Sequence, residues 1–181
     1  MGVKKGSYKF SFEYQTLYNP LEYSKLILKS NLDIVDKKHL FMRLETRYFF
    51  QEDDYSNRVI NLIRERCSLL SDFELEAKYF YEDLEEVDPD ILSKIFNDKA
   101  IGILEKLSQE FQATDIWTSE NIHEAINRTM KILDVGMADV GKPLRLAITG
   151  RMNSPSVDKT SEVLGQDKVI KRLRDVLDKF L

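Results

Sequence analysis

From Val59 to Phe180 the apolar residues return every three or four positions, and that period leaves helices as the main element the chain can build. Val59, Leu62, Ile63, Leu69 and Leu70 mark a helix over about Ser56 to Leu70. Phe73, Ala77, Phe80 and Tyr81 line a second, with Asp72 as its expected cap. Asp88-Pro89 is a strong start signal, an aspartate N-cap before a proline whose missing N–H costs nothing in the first turn. Ile91, Leu92, Ile95 and Phe96 follow, and then Ile101, Leu104, Leu107 and Phe111. Thr118 is the expected N-cap of the next helix, which carries Ile122, Ala125, Ile126, Met130 and Leu133. Gly136 and Gly141 read as punctuation of a connector. Lys142-Pro143 then reads as the opening of a short helix that stops at Gly150. Ser156 or Asp158 opens another, stopped by Gly165, and Asp167 caps the last, with Val169, Ile170, Leu173, Val176, Leu177 and Phe180 as its stripe.

Before Val59 the pattern is weaker. Aromatic residues alternate from Tyr8 to Tyr14, as in a strand, until Asn19-Pro20 interrupts them. Leu21 to Lys29 and Asp36 to Phe50 read as helical. With only seven glycines and four prolines in 181 residues, the chain has fewer turn-makers than a doubly wound sheet or a β-sandwich uses. The expected fold class is all-α, with a subdomain boundary near Thr114 to Thr118.

No stretch approaches the ~18 apolar residues that span a bilayer, and no apolar segment follows Met1 to Gly6, so neither a membrane span nor a secretory signal is expected. One cysteine, Cys67, cannot form an internal disulfide or a metal cluster, which fits a reducing cytoplasm. His39 and His123 stand far apart, and each reads as a packed or capping residue. Asp53-Asp54 and Glu85-Glu86 are adjacent carboxylates that face water rather than one another. There is no glycine-rich phosphate loop. No catalytic constellation is expected in this chain, and no cofactor.

The charge is uneven. The whole chain carries −4, but residues 142–181 hold nine basic residues against five acidic ones, so that end is basic and the remainder acidic.

Two dense segments go beyond periodicity. One is Trp117-Thr118-Ser119-Glu120-Asn121-Ile122-His123-Glu124-Ala125-Ile126. The other is Val135-Gly136-Met137 with Gly141-Lys142-Pro143-Leu144-Arg145-Leu146-Ala147-Ile148-Thr149-Gly150-Arg151, Ser154-Pro155-Ser156-Val157 and Leu164-Gly165. Together with Arg64-Glu65-Arg66-Cys67 and Tyr79-Phe80-Tyr81, they resemble the C-terminal, anticodon-binding half of bacterial glutamyl-tRNA synthetases, a family of class I aminoacyl-tRNA synthetases. The likeness covers about residues 56–181; residues 1–55 match poorly.

The resemblance implies a helical bundle or cage in two subdomains, residues 1–115 and 116–181. It implies a piece of a longer ligase without the catalytic half, because His-x-Gly-His and Lys-Met-Ser-Lys-Ser-like signatures are missing from this sequence. ATP and Mg would then belong to that other half. The implied partner is the anticodon loop of tRNA(Glu), with no membrane, no DNA and a monomeric chain. Arg145 matches the family arginine that meets the anticodon loop, with Lys142 and Arg151 beside it. Ser154, Pro155 and Val157 match the loop that meets the first and second anticodon bases, in chemical type rather than identity, since other members have threonine and leucine there. Arg66 matches the arginine that reads the third base, a cytosine, where relaxed members have glutamine. Trp117 is expected to be a buried architectural residue. The competing reading is a helical protein–protein interaction module that docks through its acidic body.

Overall fold

The computed structural model describes residues 53–67, 70–84 and 86–180. The alternating segment Tyr8 to Tyr14, the expected helices at Leu21 to Lys29 and Asp36 to Phe50, and His39 lie outside the described residues. Among the described residues there are eight α-helices, one 3-10 turn and no strand. By its contacts the chain divides into two compact units, Met1–Lys78 and Tyr79–Leu181.

In the first unit, α1 (Asp54–Ile63) begins at Asp53, whose side chain accepts the Ser56 N–H at 2.8 Å. Its buried edge is Ser56, Val59, Ile60 and Ile63. The expected continuation to Leu70 does not occur. The helix tightens into a 3-10 turn at Arg64–Arg66, and Cys67 is extended. Three successive charged residues offer no apolar side chain that would hold another helical turn against a core. α2 (Leu70–Tyr81) follows and runs across the unit boundary. Asp72 lies in its first turn rather than at its cap, where a carboxylate still favours the positive end of the helix dipole.

The second unit holds α3 (Pro89–Ile95), α4 (Asp98–Gln112), α5 (Ser119–Leu133), α6 (Met137–Thr149), α7 (Val157–Leu164) and α8 (Gln166–Phe180). Helix α4 is central and packs against α5, α6 and α8. Its Leu104, Leu107 and Phe111 are fully buried, as the spacing predicts. The caps follow the sequence closely. The Asp88 side chain accepts the Asp90 N–H at 2.8 Å, and Asn97 accepts that of Ala100 at 3.0 Å. Thr118 accepts that of Asn121 at 3.4 Å. Gly150 ends α6 at φ +67°, in the left-handed region that a Cβ disfavours. Trp117 is half-buried. Its indole N–H donates to the Ser161 carbonyl at 2.9 Å, and its ring meets Phe111 edge-on at 5.2 Å. The Gln166 amide donates to the Phe111 and Thr114 carbonyls, closing the end of α4.

The largest correction concerns α6. It starts at Met137, not at Pro143, which lies inside the helix. Gly136 is the N-cap, and the Asp139 carboxylate accepts the Gly136 N–H at 3.2 Å. Proline is favoured at a helix start, but here the apolar residues on both sides bury the helix and offset the one backbone bond that Pro143 cannot donate.

Two cations of α8 hold this unit together. Arg172 is only 6% exposed, and its guanidinium donates to the carbonyls of Ile148, Tyr79 and Glu82. Lys168 donates to the Phe80 carbonyl at 2.8 Å; burial lowers its pKa, with the Arg172 charge adding to the effect. Helix-terminal carbonyls have no intrahelical donors, and cations suit the negative end of the helix dipole. Arg172→Met is therefore expected to lower the unfolding free energy by about 3 kcal/mol, because buried carbonyls lose their donor. Urea unfolding measures this; an unchanged midpoint would show that the carbonyls find other donors. Arg172→Lys should recover only part, because an ammonium lacks the planar fork.

Candidate nucleic-acid interface

Helix α6 is buried along Val140, Gly141, Pro143, Leu144, Leu146, Ala147, Ile148 and Thr149. Met137 is exposed at its start and Asp139 half-exposed; further along, the residues left toward solvent are Ala138 and Lys142, with Arg145 half-exposed. These lie four and then three residues apart, so they share one edge of the helix. The edge leads into the segment 150–156.

That segment is built by side-chain hydrogen bonds. Thr149 Oγ1 donates to the Arg145 carbonyl at 2.7 Å and accepts the Arg151 N–H at 3.1 Å. Arg145 Nε donates to Ser154 Oγ at 3.1 Å, and Ser154 Oγ donates to the Pro155 carbonyl at 3.0 Å. Arg145 is thus anchored through Nε alone. Its two terminal nitrogens make no hydrogen bond among the described residues, and those are the fork that pairs with planar acceptors.

The structure brings Lys142, Arg145, Arg151, Ser154 and Pro155 onto α6 and the loop that follows it. Lys142 is exposed, while Arg151 and Pro155 are half-exposed. Ser154 is 6% exposed and Val157 only 2%. Val157 opens α7 with its side chain in the core, so it shapes the loop from below. A helix opening at Pro143 would put Arg145 in its first turn, but α6 begins eight residues before Arg145. The dipole end therefore sits at Gly136 to Asp139, beside Lys142 rather than beside Arg145. The exposed apolar side chain in the loop is Met152, which sequence reasoning missed because period and motif both pass over it.

His123 is exposed rather than packed, and its Nδ1 lies 3.4 Å from Asp158 Oδ2. Burial opposes ionisation of Asp158, but the Ser156 hydroxyl, the Lys159 N–H and His123 together hold its carboxyl below the usual range.

Arg66 lies in the first unit, at the end of the 3-10 turn. Its side chain is 31% exposed, and Nε donates to Glu76 Oε2 of α2 at 3.4 Å. Next to it, Cys67 is buried, and its thiol donates to the Ile63 carbonyl at 3.3 Å. Burial pushes the thiol up to about 12; the Glu76 and Asp72 charges raise it further, and Arg66 opposes them. Among the described residues no three His, Cys, Asp or Glu side chains gather where they would hold a metal ion. No described helix is long and apolar enough to cross a membrane.

Fold and site together define a helical domain with a basic helix edge and a built polar loop. The chain belongs to the anticodon binding domain family, which it matches over residues 36–177. Its fold is similar to that of a glutamate tRNA ligase from Elizabethkingia meningosepticum, solved in complex with its amino acid, with a TM-score of 0.71 at 22% identity. That likeness covers 80% of this chain and 29% of the ligase. The glutamate-tRNA synthetase of Elizabethkingia anophelis gives a TM-score of 0.69 at 22% identity, over 85% of this chain and 31% of that one. The chain thus spans about three tenths of the length of these two proteins.

Cys67 is expected to be inert in the folded protein. Alkylation at pH 8 should be at least about a hundredfold slower than in the denatured chain, because the thiolate is the reactive form. Equal rates in the two states would show that the thiol is reached from solvent.

Proposed function

We propose that this chain is the tRNA-recognition part of a glutamate–tRNA ligase and that it binds the anticodon loop of tRNA(Glu). The observation that carries this reading is Arg145, tethered to Ser154 by Nε with its terminal fork unpaired at the edge of a basic helix. Single-stranded loops are read when splayed bases meet guanidinium planes and hydrogen-bond donors. A side chain whose stem is fixed loses less freedom when it binds. Lys142 and Arg151 supply charge beside it, Pro155 offers a rigid apolar surface, and Ser154 and Val157 hold the loop in shape. Arg66 reads the third anticodon base from the first unit. The likeness in fold to two glutamate–tRNA ligases supports the same reading. ATP and Mg would be used by the catalytic part of such an enzyme, and on this reading the protein works in the cytoplasm, as a monomer.

Arg145→Ala should weaken binding of a tRNA(Glu) anticodon stem-loop by roughly 1–3 kcal/mol, the range of a specific charged base contact. Fluorescence anisotropy on a variant with unaltered melting decides it, and undiminished affinity would remove Arg145 from the interface. Arg66 donates hydrogen bonds and cannot accept them, which suits the O2 and N3 acceptors of cytosine and opposes the N–H donors of guanine. Unpaired buried donors cost ~1–3 kcal/mol, so stem-loops with C at the third anticodon position should bind about tenfold or more tighter than those with G. Arg66→Gln should narrow that ratio; the same ratio in both proteins would exclude Arg66 as the reader.

A further inference from the structure

Beyond the anticodon loop, a second basic feature lies in the Tyr79–Leu181 unit. A cavity of about 270 Å³ opens between the end of α3, the start of α4 and the first half of α6. Lys94, Lys99 and Lys142 reach it from these three helices, Asn97 and Asp139 complete its polar side, and Ala138 lies beside them. All three lysines are exposed. Lys99 pairs with Asp139 at 3.1 Å, and the same carboxylate oxygen accepts the Gly136 N–H. The one carboxylate in the lining is therefore already engaged. Lys94 and Lys142 make no ion pair or hydrogen bond among the described residues. The lining thus carries more positive charge than negative, in a concave setting that concentrates the field. The starts of α4 and α6 face the same side, and the Gly136 cap of α6 brings no side chain to cover its first turn.

No aromatic ring lines the cavity, so a base has nothing there on which to stack. Lysines act as point charges that suit phosphate oxygens without reading sequence. The exposed edge of α6 then runs from Ala138 through Lys142 to Arg145, about 10 Å along the helix. The cavity and the anticodon loop site are two ends of one basic edge.

We propose that this lysine cavity binds a backbone phosphate of the tRNA, next to the anticodon loop that meets Arg145. The inference rests on reading the chain as a tRNA-binding domain. The phosphate contact supplies register and salt-dependent affinity, while base choice stays with the arginines.

The test is a salt titration of the whole chain with an anticodon stem-loop RNA, comparing wild type with Lys94→Gln and with Ala138→Glu. Lys94 is exposed and carries no structural bond, and a glutamate in the first turn of α6 suits the helix dipole, so both variants should fold. Each should bind roughly tenfold more weakly at low salt, and Lys94→Gln should reduce the slope of log affinity against log salt by about 1. The control is Lys171→Gln, an exposed lysine on α8 that lines a separate groove. If wild type binds and both variants keep its slope and affinity, or if Lys171→Gln matches them, the phosphate site is overturned and the tRNA reading stands. If wild type fails to bind the RNA, both fall.

Discussion

A helix that ends inside a protein leaves carbonyls that only a neighbour can satisfy, and in this chain Arg172 is that neighbour. One guanidinium takes the carbonyls of Tyr79 and Glu82 at the end of α2 and that of Ile148 in the last turn of α6. Lys168, one turn earlier on α8, takes Phe80. The last helix of the chain is therefore bound to the last turn of α6 by charge-assisted hydrogen bonds, which are stronger than neutral ones. Gly150 and the loop that carries Arg151, Ser154 and Pro155 begin two residues after Ile148. Where that loop starts is thus set by a residue more than twenty positions downstream.

Helix α6 serves the core and the site together. Its buried side consists of small and aliphatic groups, and Pro143 sits among them. What remains for solvent is a narrow edge, and that edge is where Lys142 and Arg145 lie. A helix held on most of its surface is a rigid mount, so the Arg145 stem has little freedom before Ser154 restrains it further. Recognition of RNA by a few side chains depends on this kind of pre-organisation, because each ordered side chain otherwise subtracts from the affinity.

Much of the fold was legible because the signals were local. Asp88, Thr118, Gly150 and Gly165 act where their chemistry says they should, as caps and stops. The misreadings share a cause. Pro143 looks like a helix start only if its surroundings are ignored; burial on both sides lets it stay inside α6. Gly141 looked like connector for the same reason, although it lies inside α6. Val157 matched its motif by type, but an apolar residue at the start of α7 finds a core within reach and is buried there.

The sequence by itself determined that the chain is helical, where most helices begin and end, and that its basic residues gather toward the C-terminus, because period, caps and charge are properties of neighbouring residues. Only the tertiary structure decided that Arg145 is tethered to Ser154, that Arg172 gathers the ends of two helices, and that Lys94, Lys99 and Lys142 share one cavity. Those meetings join residues from different elements of the fold, and no local pattern encodes them, since they follow from how the helices and their loops pack together.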